Sequence, residues 1–298
     1  MNNNTDSVTL GFIGLGVMGA PMASNLVRKG GHPVHVFDLD DGQVAQLVKL
    51  GAQACDSIEA VGKAADIVFL SLPSITQVEE VALALLAAPE KPQMIVDMST
   101  SDVGRSRALA QKLAEQGGIE FVDAPVARLR QAARDGTLLI AVGGSEEQFS
   151  RVRPLLENMG SDIVHCGGTG CGQVVKILNN MLVFMSVNAL AEAITIGRAA
   201  GVDGKLLFDA ISLGSGNSFA LQHPGLKNLV PDDFPEKVFP TDYAIKDISL
   251  ALALAEQGGV VAEGARRTHD LLCRTRDAGF AKNYYPAMVK LIDGRVRG

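Results

Sequence analysis

Three glycines spaced as Gly-x-Gly-x-x-Gly directly follow a short apolar run near the beginning of the chain. The segment reads GFIGLGVMG over residues 11–19. This spacing predicts a strand that turns sharply into a helix: Gly14 permits the turn, Gly16 leaves room beside the backbone, and Gly19 lets the helix lie close to the strand. The unpaired N–H groups and the dipole at the start of that helix would attract an anion. A glycine turn that merely caps a helix is the alternative.

An acidic residue stands where a dinucleotide-binding fold needs one. Asp38 ends the second predicted strand, 19 residues after Gly19, so its carboxylate can accept hydrogen bonds from the ribose hydroxyls of adenosine. Leu39, Asp40 and Asp41 follow, and no arginine stands in this segment to pair with a 2′-phosphate. We therefore expect NAD as the cofactor, with NADP less favoured. The residues expected to bind it are Gly14, Leu15, Gly16, Val17, Met18, Gly19 and Asp38.

Short β-branched runs alternate with longer helical patterns up to residue 167, which is typical of βαβ units and a parallel sheet. Long helical patterns take over beyond the glycines at 167, 168 and 170. We expect an α/β Rossmann domain with a doubly wound parallel sheet over residues 1–167 and an all-helical domain over residues 168–298; one large α/β domain is the alternative. Strands are predicted at Thr9–Ile13, Pro33–Phe37, Ile67–Ser71, Met94–Asp97, Glu120–Val122, Thr137–Val142 and Asp162–His165, and helices of the second domain at Gln173–Ala200, Gly204–Leu213, Tyr243–Gln257 and Gly264–Ala278.

The net charge argues against polyanionic partners. The 298-residue chain is 47% hydrophobic and 20% charged, as in ordinary globular proteins, and its formal net charge is -6. A chain with this balance has no basic surface for a phosphate backbone, so we expect no nucleic-acid partner. Residues 1–8 lack a basic start followed by an apolar run, which predicts no secretory signal and a cytoplasmic location.

The most apolar stretch of the chain is residues 181–200, and polar or charged residues such as Glu192 and Arg198 interrupt it. A charge within lipid hydrocarbon is costly. The stretch therefore predicts a buried helix, and we expect no membrane span.

The chain has four cysteines, too few and too scattered to indicate a disulfide framework: Cys55, Cys166, Cys171 and Cys273. No histidine or second cysteine pair stands at zinc-ligand spacing from Cys166 and Cys171. We therefore expect no metal site.

One lysine interrupts an apolar helical pattern at the start of the second predicted domain. Gln173, Lys176 and Asn180 are spaced to share one helix face, whereas their neighbours between positions 174 and 182 are mostly apolar. The Lys176 ammonium then lies either at a cleft or in a costly buried position. Partial desolvation lowers the pKa of a lysine in general, which suits proton exchange with a hydroxyl during hydride transfer. A lysine that extends to solvent is the alternative.

Six motifs occur together and in order along the chain. They are the glycine segment from residue 11, LP at 72–73, DMST at 97–100, DAPV at 123–126, G-x-x-x-K-x-x-x-N from Gly172 through Lys176 to Asn180, and KD at 246–247. In this combination the chain resembles the β-hydroxyacid dehydrogenase family, which includes 3-hydroxyisobutyrate dehydrogenases and tartronate semialdehyde reductases. The resemblance extends from Leu10 to the region of Ile292.

The resemblance implies a Rossmann domain followed by an all-α domain like the C-terminal domain of 6-phosphogluconate dehydrogenase. It implies an oxidoreductase that moves a hydride between NAD(H) and a small 3-hydroxy acid or its semialdehyde. Lys176 would be the general acid in reduction and the general base in oxidation, and Asn180 would hold the substrate. The resemblance places Leu72, Pro73, Thr100 and Lys246 at the cofactor and Ala127, Gly172 and Asn180 at the substrate. A plain strand-ending turn at 72–73 and a solvated Lys246 are the alternatives.

The chain departs from the family pattern after DAPV. Most members continue Ser-Gly-Gly, small residues that surround the substrate carboxylate, whereas this chain continues ARLR over residues 127–130. An arginine offers a planar fork of donors suited to carboxylate, sulfonate or phosphate. We expect Arg128 to clamp the anionic end of the substrate, and a partial resemblance to sulfolactaldehyde reductase points the same way. A solvated charged face formed with Arg130 and Arg134 is the alternative.

Two other functions share this architecture. An imine reductase commonly has another residue in place of the lysine, and a non-catalytic cofactor-binding module would have lost it, so Lys176 argues against both. The resemblance also implies a homodimer or homotetramer, for which the apolar helix of residues 181–200 could supply an interface. The expected partner is a small anionic hydroxy acid or semialdehyde.

Overall fold

The computed structural model describes residues 8–236 and 238–295. The chain forms two compact units, one ending at Lys176 and the other beginning at Ile177. The division falls inside a single long helix, Cys171–Ala199, so this helix contributes to both units. The boundary predicted at residue 167 coincides with the end of the strand Gly160–Gly167 that precedes this helix.

A twisted β-sheet forms the centre of the first unit. Its strands are β1 (Leu10–Ile13), β2 (Val34–Phe37), β3 (Gln53–Ala54), β4 (Ile67–Leu70), β5 (Met94–Asp97), β6 (Glu120–Asp123), β7 (Val126–Ala127), β8 (Leu138–Gly143) and β9 (Gly160–Gly167). In the described part of the chain they form one nine-stranded sheet in the order β3-β2-β1-β4-β5-β6-β8-β7, with β9 paired to β8. The strands from β1 to β6 run parallel to their neighbours among these six. The predicted Rossmann arrangement is therefore confirmed.

Burial on both faces explains why the central strands read as continuous apolar runs. Every residue of β1, β4 and β5 is buried, because helices cover the sheet on both sides. The strands β3 and β7 are two residues long and show no alternating pattern, so they were not predicted. The helices of this unit are α1 (Gly19–Lys29), α2 (Asp41–Val48), α3 (Ile58–Ala64), α4 (Ile75–Ala87), α5 (Val103–Gly117), α6 (Arg130–Asp135) and α7 (Glu146–Leu156).

One part of the sheet is antiparallel, in contrast to the wholly parallel sheet that the sequence predicts. Strand β8 runs antiparallel to both β6 and β7. Residues 124–137, which connect β6 to β8, contain only β7 and the six-residue helix α6. A parallel connection requires a crossover over one face of the sheet, usually through a longer helix. The short connection here makes no such crossover, so β8 runs back beside β6 and β7 in the opposite direction.

The second unit is helical. Its helices are the shared α8 (Cys171–Ala199), α9 (Gly204–Ser212), α10 (Thr241–Gln257), α11 (Glu263–Thr275) and α12 (Val289–Ile292), with π-helical turns at Leu221–Leu229 and Arg276–Phe280 and a 3₁₀ turn at Tyr285–Met288. From residue 177 onward, the described residues add only two isolated β-bridges, Glu236 with Asn283 and Pro240 with Tyr284. The all-helical prediction is therefore confirmed. The segment Leu221–Leu229 was missed because Pro224 interrupts an ordinary helical pattern.

Helix α8 is more exposed than the sequence predicts. It is long and apolar enough to cross a membrane by length and composition, a test that core helices of soluble proteins also pass, and 33% of its most apolar window is buried. Phe184, Val187 and Ala191 pack in the core of the second unit, whereas Leu182 and Ile196 are exposed in the single chain. Apolar residues surround this helix on several sides, so only part of them can face one core.

Candidate active site

The predicted glycine loop joins β1 to α1 at the carboxyl end of β1. Gly14 has a φ of 93°, a left-handed conformation that side chains disfavour, and a Cβ there would lie 2.3 Å from the Ser71 carbonyl oxygen. A Cβ on Gly19 would lie 1.9 Å from the Gly14 carbonyl oxygen. A Cβ on Gly16 would meet no atom within 4 Å. The fold therefore requires glycine at 14 and 19, whereas Gly16 borders open space.

The open space beside Gly16 suits a bound anion. Helix α1 begins without a side-chain cap at Met18 and without an acidic residue in its first turn. The Ala20 N–H donates to the Gly16 carbonyl oxygen at 3.0 Å and Pro21 has no N–H, so the helix dipole is the feature that would attract an anionic ligand here. Leu15 is buried beneath the loop, whereas Val17 is exposed. These features fit the pyrophosphate group of a dinucleotide.

Asp38, at the end of β2, holds the glycine loop in place. Its carboxylate accepts hydrogen bonds from the backbone N–H groups of Leu15 and, at 2.8 Å, of Asp40. Each carboxylate oxygen has further acceptor capacity, so the predicted contact with the ribose stays compatible with these bonds. The spacing of the motif did not reveal this second, structural task.

Two other predicted segments lie at the same edge of the sheet. Leu72–Pro73 follows the carboxyl end of β4, and Thr100 follows that of β5. Strands β2 and β4 lie on opposite sides of β1, so this edge is the switch point at which such sheets bind ligands. The Leu72 N–H donates a hydrogen bond to the Ser99 hydroxyl at 2.9 Å, which ties the two segments together.

Asp97 is a fully buried carboxylate that shapes the turn around Thr100. It accepts hydrogen bonds from the Ser99 N–H at 2.9 Å and from the Ser101 hydroxyl at 2.8 Å. Burial raises the pKa of Asp97 to about 6, although the bonds from Ser99 and Ser101 oppose the rise. Its role was missed because the sequence shows only that an acidic residue ends a strand.

The carboxylate of Asp123, at the end of β6, meets the beginning of α8. It accepts hydrogen bonds from the N–H groups of Gly170 at 2.6 Å and Gln173 at 2.8 Å. Burial raises the pKa of Asp123, and these backbone bonds oppose the rise. A Cβ on Gly172 would lie 2.4 Å from the Ala141 carbonyl oxygen and 2.8 Å from the Asp123 carboxylate. This crowding accounts for glycine at 172, and a substrate contact there stays a prediction.

Gln173 connects the beginning of α8 to the turn after β5. It is 0% exposed. Its side-chain oxygen accepts a hydrogen bond from the Ser101 N–H at 2.9 Å, and its amide nitrogen donates to the Ser99 carbonyl oxygen at 2.8 Å. Thr100 is thus held on both sides. The sequence places Gln173 on the Lys176 face but cannot show partners that lie 72 and 74 residues away.

Lys176 and Asn180 follow Gln173 at intervals of one helical turn each. Lys176 is half-buried, and Asn180 is buried. The Asn180 amide donates a hydrogen bond to Asp247 at 2.7 Å, and the Lys246 Nζ lies 3.2 Å from the other carboxylate oxygen of Asp247. Asp247 therefore orients Asn180, a role that the KD motif did not suggest. A contact between Lys246 and the cofactor stays a prediction.

The Arg128 guanidinium is bonded within the first unit. Its Nη2 lies 2.7 Å from the Asp162 carboxylate, and its Nη1 donates to the Thr137 carbonyl oxygen at 2.6 Å and to the Ser161 hydroxyl at 2.9 Å. Its φ of 84° is a left-handed conformation that costs a non-glycine residue about 1–2 kcal/mol. The backbone thus keeps a shape that favours glycine. Ala127 is buried in β7; its contact with substrate and the clamp by Arg128 stay predictions.

All four cysteines are partly buried. Burial is the main cause that raises the pKa of Cys55, Cys166 and Cys273, which favours the neutral thiol. Among the residues that the structure describes, no three His, Cys, Asp or Glu side chains gather in a group that could hold a metal ion.

Replacing Asp97 with asparagine should change how stability depends on pH. The pKa of Asp97 in the folded state lies above its ordinary value. At low pH the buried carboxyl is protonated and carries no charge. As the pH rises from about 4 through about 6, the folded protein becomes progressively less stable, because a charge must then be kept in the interior. At about 1.4 kcal/mol per pKa unit, this penalty is on the order of 3 kcal/mol. The stability of Asp97→Asn relative to the unmodified chain should therefore increase over this interval in urea denaturation. Asp66→Asn, at a partly exposed carboxylate of the same unit, is the control. If the free energy of unfolding of Asp97→Asn and that of the unmodified chain change with pH in parallel, the assignment is wrong.

Two family models match consecutive parts of the chain. The model for the NAD-binding domain of 6-phosphogluconate dehydrogenase matches residues 9–168, and the model for the NAD-binding region of NADP-dependent 3-hydroxyisobutyrate dehydrogenase matches residues 170–292. The two matches meet between β9 and α8. Together the two matches cover residues 9–168 and 170–292 of the chain.

Known proteins resemble the chain over most of its length. A 2-(hydroxymethyl)glutarate dehydrogenase from Eubacterium barkeri is 38% identical over 288 residues, 96% of this chain and 95% of that protein. A 3-hydroxyisobutyrate dehydrogenase from Pseudomonas aeruginosa is 40% identical over 258 residues, 83% of this chain and 85% of that protein. The structure of a Mycobacterium tuberculosis 3-hydroxyisobutyrate dehydrogenase with L-serine matches with a TM-score of 0.86 and 32% identity over 96% of this chain and 99% of that one. The chain therefore belongs to the β-hydroxyacid dehydrogenase family of NAD(P)-binding oxidoreductases.

Proposed function

We propose that this protein interconverts a small anionic 3-hydroxy acid and its semialdehyde with NAD(H), and that Lys176 transfers the proton. The fixed position of Lys176 carries this proposal. Hydrogen bonds hold the first turn of its helix to Asp123 and to the backbone on both sides of Thr100, at the sheet edge that bears the glycine loop. Lys176 is half-buried in the second turn of this helix, and an amine has the exchangeable proton that the reaction requires.

The names of related proteins support this substrate class. Relatives of the chain act on 2-(hydroxymethyl)glutarate, 3-hydroxyisobutyrate and 2-hydroxy-3-oxopropionate. Each of these molecules combines a carboxylate with a nearby alcohol or carbonyl group. The shared chemistry favours a short hydroxy acid here as well.

The chain's own residues would bind and orient the substrate and would transfer a proton. When bound, the nicotinamide ring supplies or accepts the hydride. In reduction, the Lys176 ammonium would hydrogen-bond the carbonyl oxygen, stabilise the negative charge that develops there and then donate its proton. In oxidation, the neutral Lys176 amine would accept the hydroxyl proton. Asn180, oriented by Asp247, would hold the substrate.

Lys176→Ala should lose turnover by about 10²–10⁴-fold, because the proton transfer then lacks its side chain. Binding of NADH should stay within about twofold of the unmodified protein, since the glycine loop is untouched. Steady-state kinetics and NADH fluorescence titration measure the two effects. Lys63→Ala is a matched control, because Lys63 forms an exposed ion pair with Glu90. Near-normal turnover of Lys176→Ala would defeat the proposed mechanism.

The rival functions of this architecture predict a different outcome in the same assay. An imine reductase would act on imines and not on hydroxy acids, and a non-catalytic module would bind NADH without oxidising it. Lys176 supports the dehydrogenase over both. NADH absorbance with a panel of hydroxy acids and semialdehydes distinguishes the three.

Acidic residues at the end of β2 support NAD as the physiological cofactor. Asp38 and Asp40 place two carboxylates beside Leu39, which is 94% exposed. A 2′-phosphate on the ribose would meet these negative charges, and residues 38–41 contain no arginine or lysine that could balance them. NADH carries a hydroxyl at this position and avoids the repulsion.

Leu39→Arg should improve the use of NADPH by about tenfold, since a charge-assisted hydrogen bond to phosphate contributes about 1.5–3 kcal/mol. The ratio of kcat/KM with NADPH to kcat/KM with NADH measures this effect. Leu39→Ala controls for the loss of the leucine. A lower KM and a higher turnover with NADPH in the unmodified protein would overturn the NAD assignment.

Arg128 is the proposed partner of the substrate's anionic end. The side chains of Arg128 and Asp162 are 41% and 51% exposed. Exposed ion pairs contribute little to stability, so an incoming carboxylate or sulfonate could replace Asp162 at small cost. The guanidinium would then present its planar fork to the substrate.

Arg128→Ala should raise the KM of the best substrate by about tenfold, because a charge-assisted bond is lost. The substrate is chosen from 3-hydroxyisobutyrate, glycerate, serine, 4-hydroxybutyrate and dihydroxypropanesulfonate. Asp162→Asn is the matched control: it removes the internal ion pair but keeps the arginine, so KM should stay constant or fall. Unchanged kinetics of Arg128→Ala would show that Arg128 serves the fold alone.

A further inference from the structure

We infer that Gln173 is a positioning residue, which fixes the first turn of the Lys176 helix against the turn that carries Thr100 and thereby sets the place of the Lys176 amine. This inference rests on the proposed role of Lys176 in proton transfer. Gln173 lies one helical turn before Lys176 and touches no substrate group in this assignment. Its effect on the reaction would be exerted through Lys176.

Both polar atoms of the Gln173 side chain take part in this connection. One amide atom accepts from the Ser101 N–H and the other donates to the Ser99 carbonyl oxygen, at 2.9 and 2.8 Å. A primary amide is suited to this pairing, because it offers an acceptor and a donor side by side. An apolar side chain of the same length would leave two buried backbone groups without these bonds.

The backbone of Gln173 adds a third bond at the same point. Its N–H donates to the Asp123 carboxylate at 2.8 Å, so the residue is joined both to the end of β6 and to the turn after β5. Ser99 in turn accepts a hydrogen bond from the Leu72 N–H, and Ser101 donates one to Asp97. Gln173 therefore lies at the centre of a buried network that links three of the predicted site segments.

The consequence for catalysis is geometric. The reacting groups of an enzyme must be held within a fraction of an ångström, and a shift of about 1 Å can cost about 10²-fold in rate. The glycine loop, by contrast, is held by Asp38, whose carboxylate accepts a hydrogen bond from the Leu15 N–H. Loss of the Gln173 amide should thus lower turnover through Lys176, and any effect on cofactor binding would come through the segments of Leu72 and Thr100.

Gln173→Met tests the connection with a side chain of similar length and no amide. We expect kcat to fall by about 10- to 100-fold and the dissociation constant of NADH to change by a smaller factor, because the glycine loop keeps its bond to Asp38. Asn25→Leu is the matched control: it removes another buried amide of the first unit, which donates to the Ala133 carbonyl oxygen at 2.8 Å. If Gln173→Met retains the turnover of Asn25→Leu, the positioning role is wrong.

Gln173→Glu gives a second test, which a general loss of stability would not imitate. The protonated carboxyl can accept from the Ser101 N–H and donate to the Ser99 carbonyl oxygen, as the amide does, whereas the carboxylate can only accept. Burial and the nearby carboxylates of Asp97 and Asp123 favour the protonated form, and the Lys176 ammonium one turn away opposes it. The ratio of kcat for Gln173→Glu to kcat for the unmodified protein should rise as the pH falls from about 8 to about 6. A flat ratio would overturn the inference, including in the case that Gln173→Met does not fold.

The outcomes separate this inference from the proposed function. Normal turnover of Lys176→Ala would contradict both the proposed mechanism and the positioning role of Gln173. Loss of turnover in Lys176→Ala together with full turnover in both Gln173 variants would contradict the positioning role alone.

Discussion

The proposed site depends on the hydrogen bonds between the buried carboxylate of Asp123 and the beginning of α8. A carboxylate in a protein interior is costly unless hydrogen bonds compensate its charge, and here the N–H groups of Gly170 and Gln173 do so. The positive end of the α8 dipole adds to this stabilisation. The helix therefore begins at a place that Asp123 determines, and Lys176 follows in its second turn. Glycine at 143 makes the arrangement possible, since a Cβ there would lie 2.4 Å from the carboxylate.

The same physical principle organises the rest of the sheet edge. Asp38 accepts a hydrogen bond from the Leu15 N–H of the glycine loop, and Asp97 accepts one from the Ser99 N–H of the turn that carries Thr100. Parallel strands bring their carboxyl ends to one edge, so acidic residues at the ends of β2, β5 and β6 are available to hold three separate loops. Rigid loops are what a hydride-transfer site requires, because the cofactor, the substrate and the proton donor must meet in a narrow range of geometry.

Arg128 has partners within the chain besides the anionic substrate that the sequence predicts for it. The sequence presents an arginine in place of a small residue and suggests a ligand for an anion. In the structure its guanidinium is bonded to Asp162, Ser161 and Thr137, while its backbone takes up a conformation that favours glycine. An arginine in a motif therefore predicts an anionic partner, and a carboxylate of the chain itself, here that of Asp162, can be such a partner. The competition between Asp162 and a substrate carboxylate is decided by energies that no motif contains.

The sequence alone determined the glycine loop, the helical second unit and the family. It also determined those strands between β1 and β6 that contain a recognisable apolar run, which are all of them except β3. These features depend on neighbours within a few residues, on apolar periodicity, and on motifs whose order is preserved. Only the tertiary structure decided that β8 reverses direction, that Asp38 holds the glycine loop, and that Gln173 joins α8 to the turn after β5. The bonded partners lie far apart along the chain, 23 residues for Leu15 with Asp38 and 74 for Gln173 with Ser99. Such bonds form because folding brings distant polar groups out of water together, where each must find a partner.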